Sequence, residues 1–305
     1  MGILEIRNLH KRFGSHEVIS GLDMDVSEHA IFGFVGQNGA GKTTTMKMVL
    51  GLLASDSGSI TVCGEKVTYG DTKTNRYIGY LPDVPEFYGY MRPGEYLRLC
   101  GEITGLTRDQ IDCDGAELLS LVGLKDEKRK ISGFSRGMKQ RLGIAQALLN
   151  QPKLLICDEP TSALDPIGRK EILDILFALK RRTTIVFSTH VLSDVERICD
   201  YVAVLHKGKL ALNGTIADIK EQHRHNGFTI EFANAHELAL FADSAELRRL
   251  PVSLDPKGTT LTVTVADTDA EGHFLIELLS RKHLTPIRFE VMEPTLESLF
   301  AEVVT

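Results

Sequence analysis

Apolar and polar residues alternate from the first positions of the chain: Ile3, Leu4, Ile6 and Leu9 interleave with Glu5, Arg7 and Asn8, a period of two that predicts a strand. Denser apolar runs follow at 31–35, 77–81, 154–157, 184–188 and 201–205, separated by longer stretches of helical pattern. Such an order predicts an α/β domain with a largely parallel sheet. The pattern changes after the polar stretch 221–227. Phe228, Ile230 and Phe232, then Leu261, Val263 and Val265, then Ile287, Phe289 and Val291 alternate with Thr, Glu or Arg and predict three strands with one polar face. Helical stretches at 236–250 and 269–279 lie between them, the second with Phe274, Leu275, Leu278 and Leu279 on one stripe. The expected organisation is an α/β domain over 1–222 and a small accessory α+β domain over 223–305.

Composition narrows the class. The 305 residues are 43% hydrophobic and 25% charged, an ordinary globular balance. No run approaches the ~18 apolar residues that a membrane-spanning helix requires. Residues 1–222 carry equal numbers of basic and acidic side chains, so the net charge of −6 sits wholly in 223–305. Neither part has the basic footprint of a nucleic-acid binder. The N-terminal pattern is that of a strand and not of a signal peptide, and Ile6 stands where a myristoylation motif requires Ser or Thr. The five cysteines form no CxxC pair and read as reduced, packed thiols of a cytosolic protein.

The first chemical signal is Gly36-Gln37-Asn38-Gly39-Ala40-Gly41-Lys42-Thr43, which fits G-x-x-x-x-G-K-[ST] and lies between an apolar strand and a helical pattern that starts at Thr44. Glycines let the backbone wrap closely enough for successive N–H groups to point at phosphate oxygens, and the start of the helix adds its partial positive charge. Lys42 would neutralise the outer phosphates. Thr43 would give its hydroxyl to Mg²⁺. A chance match in a Gly-rich turn is the competing reading, and the flanking strand and helix speak against it. The second signal is the apolar strand 154–157 ending in Asp158 and Glu159. Beside a phosphate loop, Asp158 would reach the Mg²⁺ ion and Glu159 would orient and polarise an attacking water. A merely solvated strand end is the alternative.

Further motifs fall in register with these: Phe134-Ser135-Arg136-Gly137-Met138-Lys139-Gln140-Arg141 upstream, then Ser162-Ala163-Leu164-Asp165 and Ser188-Thr189-His190 downstream. In this order the set resembles the ATP-binding cassette ATPases, and the resemblance covers 1–222. It implies a P-loop cassette with a helical subdomain at about 84–151. It also implies that two ATP molecules are held between two head-to-tail cassettes, identical or different, each nucleotide lying between one chain's loop (residues 36–43 and Thr44) and the other's signature. On that resemblance Ser135 and the backbone around Arg136, Gly137 and Met138 would meet the partner's ATP, and Asp165 would contact the partner chain. His190 would hydrogen-bond the γ-phosphate. Phe13 would stack on adenine, unless it is a hydrophobic plug at its turn.

Two departures stand out. Phe134, Arg136 and Met138 replace three residues of the usual Leu-Ser-Gly-Gly-Gln, while Ser135 and Gly137 are kept. Asp83 stands where most cassettes have Gln. The resemblance gives this position a catalytic contact with metal-bound water, and the acid adds negative charge near the γ-phosphate. The tail 291–300, with Glu293-Pro294-Thr295-Leu296-Glu297, is similar to the end of exporter cassettes that carry an added C-terminal domain. The implied protein is a Mg²⁺-dependent ATPase subunit, cytoplasmic and peripheral on the inner face of the cell membrane. It would drive a separate integral membrane permease for export and would have no nucleic-acid partner. The alternative is a soluble cassette ATPase of DNA repair, chromosome organisation or translation; such proteins typically interrupt the cassette with a long coiled coil or join two cassettes, and neither occurs. A GTPase would want Asn-Lys-x-Asp, and no Asn here precedes Lys.

Overall fold

The N-terminal alternation forms β1 (Leu4–Phe13), which pairs antiparallel with β2 (His16–Val26) on one side and β4 (Ser57–Val62) on the other; the short β5 (Glu65–Lys66) completes a sheet ordered β2-β1-β4-β5. The computed structural model describes residues 2–71, 73–125, 127–222, 227–247, 252–265, 267–292, 295–297 and 299–300. Leu4, Ile6 and Leu9 of β1 and Ile19, Leu22 and Met24 of β2 turn inward and share a core with Phe32, Phe34, Met46 and Val49. This antiparallel layer adds to the largely parallel sheet expected. Bulges in β1 between Ile6 and Leu9 and again before Arg12 break the period of two, and β4 opens on the polar Ser57-Gly58-Ser59, so neither β2 nor β4 stands out as an apolar run.

The second sheet has the order β10-β9-β3-β8-β7-β6. It comprises β3 (Ile31–Gly36), β6 (Ile78–Leu81), β7 (Leu154–Asp158), β8 (Thr184–Thr189), β9 (Tyr201–His206) and the antiparallel edge β10 (Lys209–Thr215). Every residue of β3, β7 and β8 is buried, as expected for parallel strands covered on both faces. β10 escaped the apolar count because it is a half-buried edge. Of the helices, α1 (Lys42–Val49) follows β3; α2 (Pro93–Ile103), α3 (Arg108–Leu121) and α4 (Arg136–Leu148) lie between β6 and β7; α5 (Pro166–Leu179) joins β7 to β8; and α6 (Leu192–Ile198) joins β8 to β9. Local chemistry sets several starts: Pro occupies the first turn of α2 and α5, where no N–H partner is needed, and Thr107 and Gln110 form a reciprocal cap on α3.

α4 packs directly on β6. A Cβ on Gly79 would stand 2.2 Å from the Ala147 carbonyl oxygen, and one on Gly143 would stand 2.5 Å from Leu81 Cδ1. Small residues on both sides let helix and strand approach this closely.

The chain divides into two compact units, the first Met1–Ile216 together with Phe300 and the second Ala217–Leu299, so the division falls at the first turn of α7 (Ile216–Gln222) and not within 221–227; residues 223–226 lie outside the described residues. The second unit holds one antiparallel sheet, β12-β13-β11-β14, from β11 (Gly227–Glu231), β12 (Ser253–Lys257), β13 (Thr260–Thr264) and β14 (Arg288–Val291). Its core sets Phe228, Ile230, Leu261 and Val263 against Phe241 of α8 (Ala235–Ala242) and Leu275 and Leu278 of α9 (Thr268–Arg281). Among the described residues four strands stand where three are expected. β12 contains Pro256, which lacks an amide donor and is tolerated because the strand is an edge, and its polar sequence hides it from an apolar count. The helix expected over 236–250 ends at Ala242, and 248–250 lie outside the described residues, as do Glu293 and Pro294 of the tail segment.

Because the Gly79 contact is with backbone that cannot rotate away, Gly79→Ala should destabilise the fold by about 1–3 kcal/mol. Chemical denaturation of parent and variant measures this; an unchanged midpoint would show that α4 and β6 are not in such close contact.

Candidate active site

β3 ends at Gly36 and α1 begins at Lys42, so residues 37–41 form a loop at the carboxyl end of a strand buried on both faces. Gly41 caps α1 with φ at 110°, and a Cβ there would stand 2.6 Å from Ile19 Cδ1, so both backbone and space require glycine. Ala40 N donates to Gln37 O at 3.1 Å and closes the turn. Gln37, Asn38, Gly39 and Thr43 are exposed, whereas Ala40 and Thr44 are half-buried. The first turn of α1 carries no acidic residue, which leaves its positive end uncompensated by local side chains. Lys42 is buried, and its Nζ donates to Gly36 O at 2.7 Å and Gln37 O at 3.4 Å. The loop is a positive cradle with a fixed ammonium at its base.

Parallel pairing of β7 with β8 sets Asp158 opposite Ser188. Asp158 is buried, and both its oxygens are partnered: Thr43 Oγ1 donates to Oδ2 at 2.8 Å and Ser188 Oγ donates to Oδ1 at 2.6 Å. The next residue, Glu159, turns out of the strand with φ at 48°. That left-handed conformation costs a non-glycine residue on the order of 1–3 kcal/mol. Its N–H is held by Ser188 O at 3.1 Å and Ser188 Oγ at 3.0 Å. The Glu159 side chain then lies between two cationic or proton-carrying groups. Oε1 is 3.2 Å from Lys42 Nζ, outside hydrogen-bonding alignment, and Oε2 is 2.9 Å from His190 Nδ1. His190 is 48% exposed, so this end of the row faces solvent.

Neighbouring groups keep their protons and add no charge. Burial and the Asp158 charge push the Cys157 thiol up, and burial, Asp158, Cys157 and Asp83 together raise the Tyr80 phenol to about 12. All five cysteines are free.

Lys42, Thr43, Asp158, Glu159 and His190 thus form one connected cluster. The other candidate residues lie elsewhere. Ser135 caps α4, its Oγ accepting from Met138 N at 3.2 Å, and a Cβ on Gly137 would meet only Leu164 Cδ2, at 3.9 Å. Signature and 162–165 turn are therefore neighbours within one chain. Asp165 caps α5 by accepting from Gly168 N at 3.1 Å. Phe13 is 51% exposed, unlike a plug, with Lys11 Nζ 5.4 Å from its ring centre. Asp83 is bonded to Arg136.

Three functional side chains went unrecognised in the sequence. Ser188 anchors both acids, and a hydroxyl near the end of a buried strand was the available signal. Thr161 Oγ1 donates to Asp194 Oδ2 at 2.8 Å, both buried, and so ties the turn after Glu159 to α6 after His190. The Thr43 hydroxyl beside the Asp158 carboxylate is a pair of hard oxygen donors that would suit a hydrated Mg²⁺ ion.

Ser188→Ala would leave a buried carboxylate oxygen without its hydroxyl donor and weaken the hold on Glu159. The variant should lose about 1–3 kcal/mol of stability by chemical denaturation. Parent-like stability would show that the hydroxyl is not the anchor.

With this geometry in view, similarity to known proteins is specific. The family model described as "ABC transporter" matches residues 19–162, and one described as "ATP-binding protein DrrA1-3-like, C-terminal domain" matches 214–304. The ABC transporter ATP-binding protein YxlF of Bacillus subtilis (strain 168) is 39% identical over 303 residues, 99% of each chain. The bacitracin transport ATP-binding protein BcrA of Bacillus licheniformis is 42% identical over 226 residues, 73% of this chain and 72% of that one. The linearmycin resistance ATP-binding protein LnrL of Bacillus subtilis (strain 168) is 32% identical over 98% of this chain and 97% of its own. A solved ATP-binding subunit of an ABC transporter superposes with a TM-score of 0.65 at 32% identity, over 72% of this chain and 92% of that one. Phosphate loop, paired acids and histidine therefore sit in a chain that belongs to the ABC transporter ATP-binding proteins, the ATP-hydrolysing subunits of these transporters.

Proposed function

We propose that ATP lies on residues 36–44, with Phe13 against the adenine, and that Glu159 is the carboxylate that accepts the proton of the attacking water. The observation that carries this is the placement of one Glu159 oxygen 3.2 Å from Lys42 and the other 2.9 Å from His190, one residue beyond Asp158. Lys42 and the start of α1 offset phosphate charge. A Mg²⁺ ion, held by Thr43 and Asp158, would screen the rest. Water oxygen bonds to the γ-phosphorus as the bond to the β–γ bridging oxygen breaks; ADP departs and the water proton passes to Glu159. His190 hydrogen-bonds the γ-phosphate and fixes the Glu159 carboxylate.

Transport and resistance functions in the names of BcrA and LnrL support export as the direction. Among the described residues no helix is long and apolar enough to cross a membrane, so the transported substrate's path is assigned to a separate permease. The chain works peripherally at the cytoplasmic face. The alternative of a repair, chromosome or translation cassette has no observation in its favour. Ser135, Gly137 and Met138 at the open start of α4, with Asp165, form the surface that meets a second cassette's nucleotide. The helices α2–α4 form the subdomain that faces the permease. The second unit contributes to pairing of the cassettes.

Lys42→Ala removes a charge-assisted contact with phosphate, and nucleotide affinity should fall about 10–100-fold in a fluorescent-ATP titration. Pairing of chains with a slowly hydrolysed ATP analogue, read by light scattering against ADP, should disappear with it. An affinity equal to the parent's would place the nucleotide elsewhere.

A further inference from the structure

Two departures from the family pattern, the acid at 83 and the long cation at 136, meet in space. Arg136 Nη2 donates to Asp83 Oδ1 at 3.1 Å. Gln140, one turn further along the same face of α4, donates from Nε2 to the Asp83 carbonyl oxygen at 2.6 Å. The grip continues along that face: Gly143 lies against Leu81 and Pro85, and Ala147 against Gly79. Gln140 is fully buried, whereas Asp83 and Arg136 are 45% and 39% exposed. Positions 136, 140, 143 and 147 follow the i, i+4, i+7, i+11 spacing of one helix face, so α4 clasps β6 and its exit from end to end.

Charge explains why the two departures occur together. A free carboxylate at 83 would oppose a polyphosphate, and a free guanidinium at 136 would bring a long cation into the signature's first turn. Paired, they cancel and leave the N–H groups of that turn to set the local potential. Through Oδ1 the Asp83 carboxylate is engaged by Arg136.

We propose that Asp83 is a positioning residue: by holding Arg136 it fixes the first turn of α4, with Ser135 and Gly137, in the orientation that meets the partner cassette's phosphate. This rests on the proposal above that Ser135 and Gly137 meet that phosphate. Residues 83 and 136 then act as one unit, and their substitutions are not additive.

The test is a double-mutant cycle in the full chain: Asp83→Ala, Arg136→Ala, the double variant, Asp83→Gln, and the charge exchange Asp83→Arg with Arg136→Asp. ATP turnover and KM are measured across Mg²⁺ concentrations, and melting curves confirm folding. Each alanine variant should lower turnover about 2–5-fold, the range of a half-exposed ion pair, and the double should be no worse than either. Asp83→Gln should fall with Asp83→Ala, the charge exchange should recover most of the loss, and the Mg²⁺ concentration for half-maximal rate should not move. Multiplying effects, recovery in Asp83→Gln, a Mg²⁺ dependence altered only by changes at 83, or parent-like rates in both single variants would overturn the proposal. Turnover that survives Lys42→Ala would instead count against the site itself.

Discussion

The Ser188 hydroxyl donates a hydrogen bond to Asp158 and accepts one from the Glu159 backbone, and it can do both because β7 and β8 run parallel with Asp158 opposite Ser188. From this junction the remaining geometry follows. Asp158 is left with one oxygen for Thr43 at the start of α1. Glu159 is held in a left-handed conformation that it would not adopt unaided. Its carboxylate is thereby set between Lys42, from the loop after β3, and His190, from the end of β8. A slip of β7 against β8 by one residue would send Asp158 to the other face of the sheet and dissolve the cluster.

The strain at Glu159 is offset by the sheet that surrounds it, which is why the site lies at the carboxyl ends of strands buried on both faces. Thr161 and Asp194 extend the same logic outward: their buried hydrogen bond ties the turn that leads to Asp165 to the helix that follows His190. The chemical row and the surface assigned to the partner cassette are thus mechanically joined through α6. On the opposite flank, β6 and α4 are joined by glycine-mediated contact and by the Asp83–Arg136 pair, so the signature turn is held by the same sheet that holds the acids.

Much of this was legible in the sequence because parallel strands covered on both faces are apolar runs, and five of those runs matched strands of the central sheet to within a residue or two. The loop at 36–43 and the acids at 158 and 159 announced themselves by spacing. β2, β4, β10 and β12 did not, because half-buried, bulged or edge strands carry Ser, Asp, Lys and Pro and lose their alternation. Asp83 and Arg136 were visible as departures, but no spacing brings residues 83 and 136 together; only the fold of α4 onto β6 does. Ser188 stands out in the sequence only as a hydroxyl near the end of a buried strand; that it serves both acids follows from the pairing of β7 with β8.

The central claim is that Glu159 performs the proton-accepting step while contributing little to holding the nucleotide. Single-turnover release of γ-phosphate from preloaded ATP and Mg²⁺, compared between the parent and Glu159→Gln, tests it most directly. Loss of a positioned general base slows its step by about 10²–10⁴-fold, and the amide keeps the shape of the side chain. The account predicts ATP affinity within about threefold of the parent, since less than 1 kcal/mol of binding is at stake, with phosphate release slowed by that factor. Phosphate released at the parent's rate, with ATP still bound, would contradict it.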